Sequence, residues 1–211
     1  MPNIVSIAQF KKANELNIPL AVAVPVSNTS TATPSNELYL TNLIAKEEKT
    51  ILLNALGLAT YNTLQLALAD INNPLYASYK KLVQGDTYDG KVWSGLNNDY
   101  SLLLYRIYEV FVTETNTRLS AIGTTKVNPQ GAEISTPIYK IANANQNFLK
   151  QYQGGYLFEP IVYENFVDWY GQNDDVEVSL YTYLNDKKAD FVDFKIEDFK
   201  VFCESKNSFG I

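Results

Sequence analysis

The chain has 211 residues, 46% apolar and 19% charged, with a formal charge of −6. That length and composition suit one substantial folded domain with an extension, or two small ones, and exclude global disorder. With no histidine and a single cysteine, the chain cannot build a Ser-His-Asp or Cys-His catalytic unit, a histidine metal site, an intrachain disulfide or a cysteine zinc site.

Net negative charge, with basic residues only in isolated pairs such as Lys11-Lys12 and Lys80-Lys81, argues against phosphate-backbone and anionic-membrane binding. The fifteen tyrosines and ten phenylalanines suit a core or a protein–protein interface equally well.

Residues 1–35 read as an extended N-terminal arm and linker. "IPLAVAVPV" (18–26) can be extended, and "SNTSTATPSN" is too polar and breaker-rich to build a core. The apolar part is no secretory signal, because Pro19 and Pro25 interrupt it and no small-residue cleavage site follows. The "NTS" sequon at Asn28 is then a chance match. No apolar run approaches a membrane span in length, and the chain reads as cytosolic or cytosolically assembled.

Ser35 or Asn36 can cap a helix through "ELYLTNLIAKEEKTILLNALG", in which the charged turn "KEEK" separates two apolar stretches and Gly57 is a natural stop. A second helix carries Tyr61, Leu64, Leu68 and Ile71 at helical spacing. Asn73-Pro74 then restarts the chain as N-cap and N1 of a third, with Leu75, Tyr79 and Leu82 as its stripe. "GDTYDGKVWSGL" reads as a loop. The longest helix is expected from Asn97 to Ser120, with only Arg106 and Glu109 charged in its middle. A helix without a wide polar face is central in its own domain or covered by a neighbour.

Ser120 to Pro137, "SAIGTTKVNPQGAEISTP", is expected to form a short hairpin over 124–136. Asn128, Pro129 and Gly131 occupy the positions a type I turn favours. A helix follows from Pro137 to about Tyr152, with Ile138, Ile141, Asn145, Phe148 and Tyr152 along one side. Beyond Gly154-Gly155 the pattern is mixed: "YENFVDWYG" suits a short helix, "DVEVSLYTYL" alternates as a strand does, and "ADFVDFKIEDFKVF" fits either period. Cys203 reads as a small packing residue.

Three motifs invite chemistry and fail. Gly85 to Lys91 matches G-x-x-x-x-G-K, but Val92 stands where a Mg²⁺-binding hydroxyl belongs, and Asp86 and Asp89 would face the phosphates. The same loop lacks carboxylates at the EF-hand positions. "NDDVEV" and "DKKADFVD" cluster acids, as solvated loops commonly do. A carboxylate-pair glycosidase stays formally open, with Glu164 and Asp168 as the acids to mutate.

The order of features over 36–155 carries a family resemblance. "KEEKTILLNALG" and "YNTLQLAL" precede a W-x-G-L turn (Trp93, Gly95, Leu96). The helix with "LLYRIYEVFV", then "GTTKVNPQGAE" and a helix ending "NANQNFLKQY" complete the set. This arrangement resembles head–tail connector (adaptor, or neck) proteins of tailed bacteriophages, especially those of Bacteroidetes phages and prophages. The resemblance implies a non-enzymatic structural virion protein that forms a homo-oligomeric ring, commonly twelve-fold. The ring docks beneath the portal protein and contacts neighbouring neck and tail proteins, while DNA passes through its channel without sequence-specific binding.

The expectation is therefore a mainly α fold: a helical bundle body (36–155) with a short protruding β-hairpin, an extended N-terminal arm, and a mixed or β-containing C-terminal region (156–211). The expected location is the virion neck, after assembly in the host cytoplasm. No catalytic residue, cofactor or metal ligand is expected. The hairpin, too short and polar to hold a core of its own, supplies the proposed assembly contacts Lys126, Val127, Asn128, Pro129, Gly131 and Glu133. The alternatives are another neck protein, such as a stopper or tail terminator, and, from a different class, a carboxylate-dependent metal- or carbohydrate-binding protein.

Overall fold

The computed structural model describes residues 2–18, 36–115, 117–120, 123–126, 138–154 and 177–202. These are mainly helical, with a short antiparallel hairpin beside a helical body, as expected. In chain order they form α1 (Ile7–Phe10), α2 (Asn36–Ala69), a 3₁₀ turn (Pro74–Tyr76), α3 (Ala77–Gln84), β1 (Asp86–Tyr88) and β2 (Lys91–Trp93). There follow α4 (Leu102–Thr115), β3 (Thr117–Ser120), β4 (Gly123–Lys126), α5 (Ile138–Gln153), α6 (Leu180–Asp186) and 3₁₀ turns at Lys188–Asp190 and Ile196–Asp198.

The centre of the body is α4, which packs against α5 and α2. Leu102, Leu103, Leu104, Tyr105, Ile107, Tyr108 and Phe111 are all buried, so its missing polar face reflects a central position. α5 runs antiparallel to it. The Gln151 amide donates to the Tyr100 carbonyl at 2.8 Å at one end, and Tyr139 and Asn143 line a cleft with Tyr105 and Tyr108 towards the other. The buried side of α5 is Ala144, Phe148, Leu149 and Tyr152, whereas the expected Ile138 is 66% exposed.

α2 is two helices joined without a loop. Gly57 adopts φ 70, ψ 171 between them, a backbone region open essentially to glycine alone. By length and composition α2 could cross a membrane, although no such run is evident on reading the sequence. Its inward residues Leu40, Ile44, Ile51, Leu52 and Leu64 are buried in the protein core, which accounts for its apolar character. Asn73 caps the 3₁₀ turn through Leu75 N–H at 3.1 Å, with Pro74 at its start. Leu75 itself is 85% exposed and leaves the stripe to Tyr79 and Leu82.

Three expectations need correction. Residues 2–18 are part of the body rather than of an arm: Ile4, Val5, Phe10, Leu16 and Ile18 are buried in the common core. Burying five apolar side chains favours docking over extension, and the segment is tied down by Lys11–Glu37 and Lys12–Asp99 ion pairs. The "loop" at 85–96 contains the hairpin β1–β2. Asp89 and Gly90 have φ of 45 and 75 and form the two-residue connection that Asp-Gly favours, between strands paired Asp86↔Trp93 and Tyr88↔Lys91.

The strand expected in "DVEVSLYTYL" is instead α6. Ser179 caps it, accepting from Thr182 N–H at 3.2 Å, and Leu180, Tyr183 and Leu184 turn inward together. Within 156–211, the described residues make one β contact, an isolated bridge of Glu177 to Val92. The remainder of that region, with Cys203, and the linker at 19–35 lie outside the described residues.

Among the described residues, most aromatic contacts fall in two clusters. In one, Trp93 stacks on Tyr183 with ring centroids 5.4 Å apart, Tyr88 and Phe191 meet Tyr183 edge-on, and Tyr79 meets Phe191 edge-on in turn. The Trp93 indole donates to the Leu82 carbonyl at 2.9 Å. This cluster joins α3, the β1–β2 hairpin and α6. In the other, Phe148, Tyr152, Phe199 and Phe202 pack together and fasten residues 199–202 to α5.

Candidate functional site

The hairpin begins where α4 ends. "TETNT" (113–117) is rich in Thr and Asn, whose β-branching and backbone-seeking oxygens disfavour further helix. The Thr115 hydroxyl already donates to the Phe111 carbonyl at 2.7 Å. β3 and β4 pair antiparallel from Thr117↔Lys126 to Ser120↔Gly123. These strands begin before the expected 124–136, of which residues 127–136 lie outside the described residues, and α4 is correspondingly shorter than the expected 97–120. The Thr residues of "TRLSAIGTTK" suit a pleated ladder better than a continued helix.

Of the proposed contact residues, Lys126 closes β4 opposite Thr117. Val127, Asn128, Pro129, Gly131 and Glu133 lie outside the described residues, as does the anticipated Asn128–Gly131 turn. The principal contacts of β3–β4 are between its own strands and with the end of α4.

Around the hairpin the body presents one pole. The start of α2 reaches it, where Tyr39 packs on Phe111, 5.8 Å between ring centroids, and its hydroxyl donates to the Glu114 carboxylate. The start of α5 lies there too, with Ile138 66% and Tyr139 83% exposed. Next to them a cleft of about 180 Å³ is lined by Glu15, Leu16, Tyr105, Tyr108, Tyr139 and Lys140. The Tyr105 hydroxyl donates to Glu15 at 2.6 Å. Burial, reinforced by the Glu15 charge, pushes the Tyr108 hydroxyl above its ordinary pKa, so Tyr108 is a neutral packing group at physiological pH.

Two buried charge sites escaped sequence reasoning. "KEEK" reads as a charged turn between apolar stretches, yet Glu47 and Glu48 are both buried. Arg106 stands between acids, 3.8 Å from Glu47 through Nε and 2.6 Å from Glu109 through Nη1. Its guanidinium lies over Phe148 and Phe202 at 5.6 and 5.7 Å, so one cation neutralises charge from α2 and packs the C-terminal segment. Glu48 accepts the backbone N–H groups of Ile4 and Val5. The helical spacing of Glu48 with Ile44, Leu52 and Ala55 is the signal that could have placed it inward.

The region resembling a P-loop is a hairpin flanked by packing, with Lys91 paired to Asp186 at 2.6 Å rather than facing a helix N-terminus. Among the described residues no group of three or more His, Cys, Asp or Glu side chains is gathered to hold a metal ion. Glu164 and Asp168 lie outside the described residues. No protein-family model, curated protein or solved structure matches the chain.

Proposed function

We propose that the protein is a structural component of a tailed-phage virion: a head–tail connector that assembles as a homo-oligomeric ring between portal and tail. The observation carrying this reading is the position of the β3–β4 hairpin. It continues directly from the central helix at a pole where Ile138 and Tyr139 are exposed. A closed ring needs two complementary surfaces on each subunit, and a two-stranded hairpin gains order from a partner surface. The order of sequence features over 36–155 supplies the rest of the support.

The test pairs the purified chain with the portal protein encoded in the same genome. Co-sedimentation and electron microscopy are expected to show rings or portal-bound particles. Replacing residues 117–126 by a Gly/Ser linker is expected to preserve the helical circular dichroism signal and abolish portal binding. A wild-type chain that does not bind portal, or a hairpin-less variant that binds it undiminished, overturns the reading.

A further inference from the structure

Glu48 lies in the first half of α2, 3% exposed, beneath the N-terminal segment. The Ile4 N–H reaches its Oε1 and Oε2 at 2.9 and 3.0 Å, and the Val5 N–H reaches Oε2 at 3.2 Å. Among the described residues no cation neutralises it. Among the described residues, the charged groups of the N-terminal segment, α2 and α4 around it are committed elsewhere or face solvent. In the N-terminal segment Lys11 pairs with Glu37, Lys12 with Asp99, and Glu15 accepts from Tyr105. On α2, Glu47 faces Lys46 and Arg106, and Lys49 is exposed. From α4, Arg106 is held by Glu47 and Glu109. Tyr61 is the titratable group that senses Glu48, its hydroxyl pushed up by burial and then by that carboxylate.

We propose that Glu48 is a proton-controlled latch for the N-terminal segment: neutral, it holds residues 2–18 on the body, and ionised, it promotes their release. The geometry suits both forms. Oε2 is within reach of both N–H groups, so it can accept both as a carbonyl oxygen while Oε1 carries the proton. Once ionised, the same group is an uncompensated buried charge, and lifting the segment is the shortest way to give it water.

The direction of the pH dependence follows from burial, which outweighs the two N–H bonds and raises Glu48 from 4.5 to about 7. The closed form therefore binds the proton more tightly than the open one. Latching is complete below the ordinary carboxylate pKa, weakens as pH rises from about 4.5 to about 7, and is level above that.

The experiment is amide hydrogen exchange on the full chain from pH 5.5 to 8.5, expressed as protection factors to remove the intrinsic base catalysis. Protection at Ile4, Val5 and Phe10 is expected to fall on the order of tenfold across that range in the wild type, while the α4 amides of Ile107 and Phe111 hold steady. Glu48→Gln keeps an acceptor oxygen without the charge, and its N-terminal protection is expected to be level over the same range. Protection in the wild type that does not fall, or that falls equally in Glu48→Gln, overturns the latch; a parallel loss in α4 does so too, because it marks global destabilisation.

Discussion

Gly95 has φ +84, and a Cβ built there would stand 2.5 Å from the Gly85 nitrogen and 2.8 Å from the Val83 carbonyl oxygen. Gly85, at φ +103, would press its own Cβ within 2.8 Å of the Trp93 carbonyl oxygen. The two backbones approach so closely because Leu96 and Asn97 donate their N–H groups to Leu82 and Val83 at the end of α3. Gly90, with φ +75, has nothing within 4 Å of the same construction. Gly95→Ala is therefore expected to cost about 3 kcal/mol, through strain and a backbone collision. Gly90→Ala should cost only about 1 kcal/mol, through its left-handed conformation. Urea unfolding of the two variants measures the difference, and equal losses would remove the close-approach argument.

At the scale of elements, Gly57 separates the halves of α2 in a conformation that L side chains avoid. An added Cβ would meet only the Asp198 side chain, at 3.5 Å, so space is available and conformation decides. Helix propensity alone says that alanine gains about 1 kcal/mol over glycine. The kink reverses that sign: Gly57→Ala is expected to destabilise by about 2 kcal/mol, measured by chemical denaturation. A stabilised variant would mean that the two halves can straighten at no cost. The 3₁₀ turn carrying Asp198 lies beside the kink, and the Lys200 N–H donates to the Asn54 carbonyl at 2.8 Å. α5 shows how side chains then sort elements: the Gln153 amide donates to and accepts from the backbone of Phe202, and Tyr152 donates to the Lys200 carbonyl. A segment with little regular structure is held like an added strand.

Over the whole molecule, the core includes a segment that sequence patterning assigns to an arm. Phe10 is fully buried, with Ile18 N–H donating to its carbonyl at 2.9 Å. Phe10→Ala is expected to lower global stability by about 3–5 kcal/mol; in a free arm the same change would be nearly silent. Thermal and urea denaturation followed through the α-helical signal distinguish the two. The docked segment, the Arg106 cluster and the two aromatic clusters connect the ends of the chain to the α2–α4–α5 body, so local changes at either end are expected to register in the common core.

Much of this architecture was legible in the residues themselves. The 3.6-residue spacing of Leu64, Leu68 and Phe148, Tyr152, the Asn73-Pro74 start and the stop at Gly57 report backbone and local side-chain preferences, which act within a few residues and need no fold to operate. The central place of α4 was legible for the same reason, since a helix with so little polar surface has few alternatives to burial. What tertiary structure alone decided is where short segments go. A four-residue helix, a three-residue strand or a seven-residue helix is marginal by itself. Long-range burial therefore drew residues 2–18 into the body and turned "SLYTYLND" into a helix on Trp93. The same holds for charge: Glu48 reads as part of a charged turn in "KEEK", and only the segment folded over it, from more than forty positions earlier, makes it a buried acid.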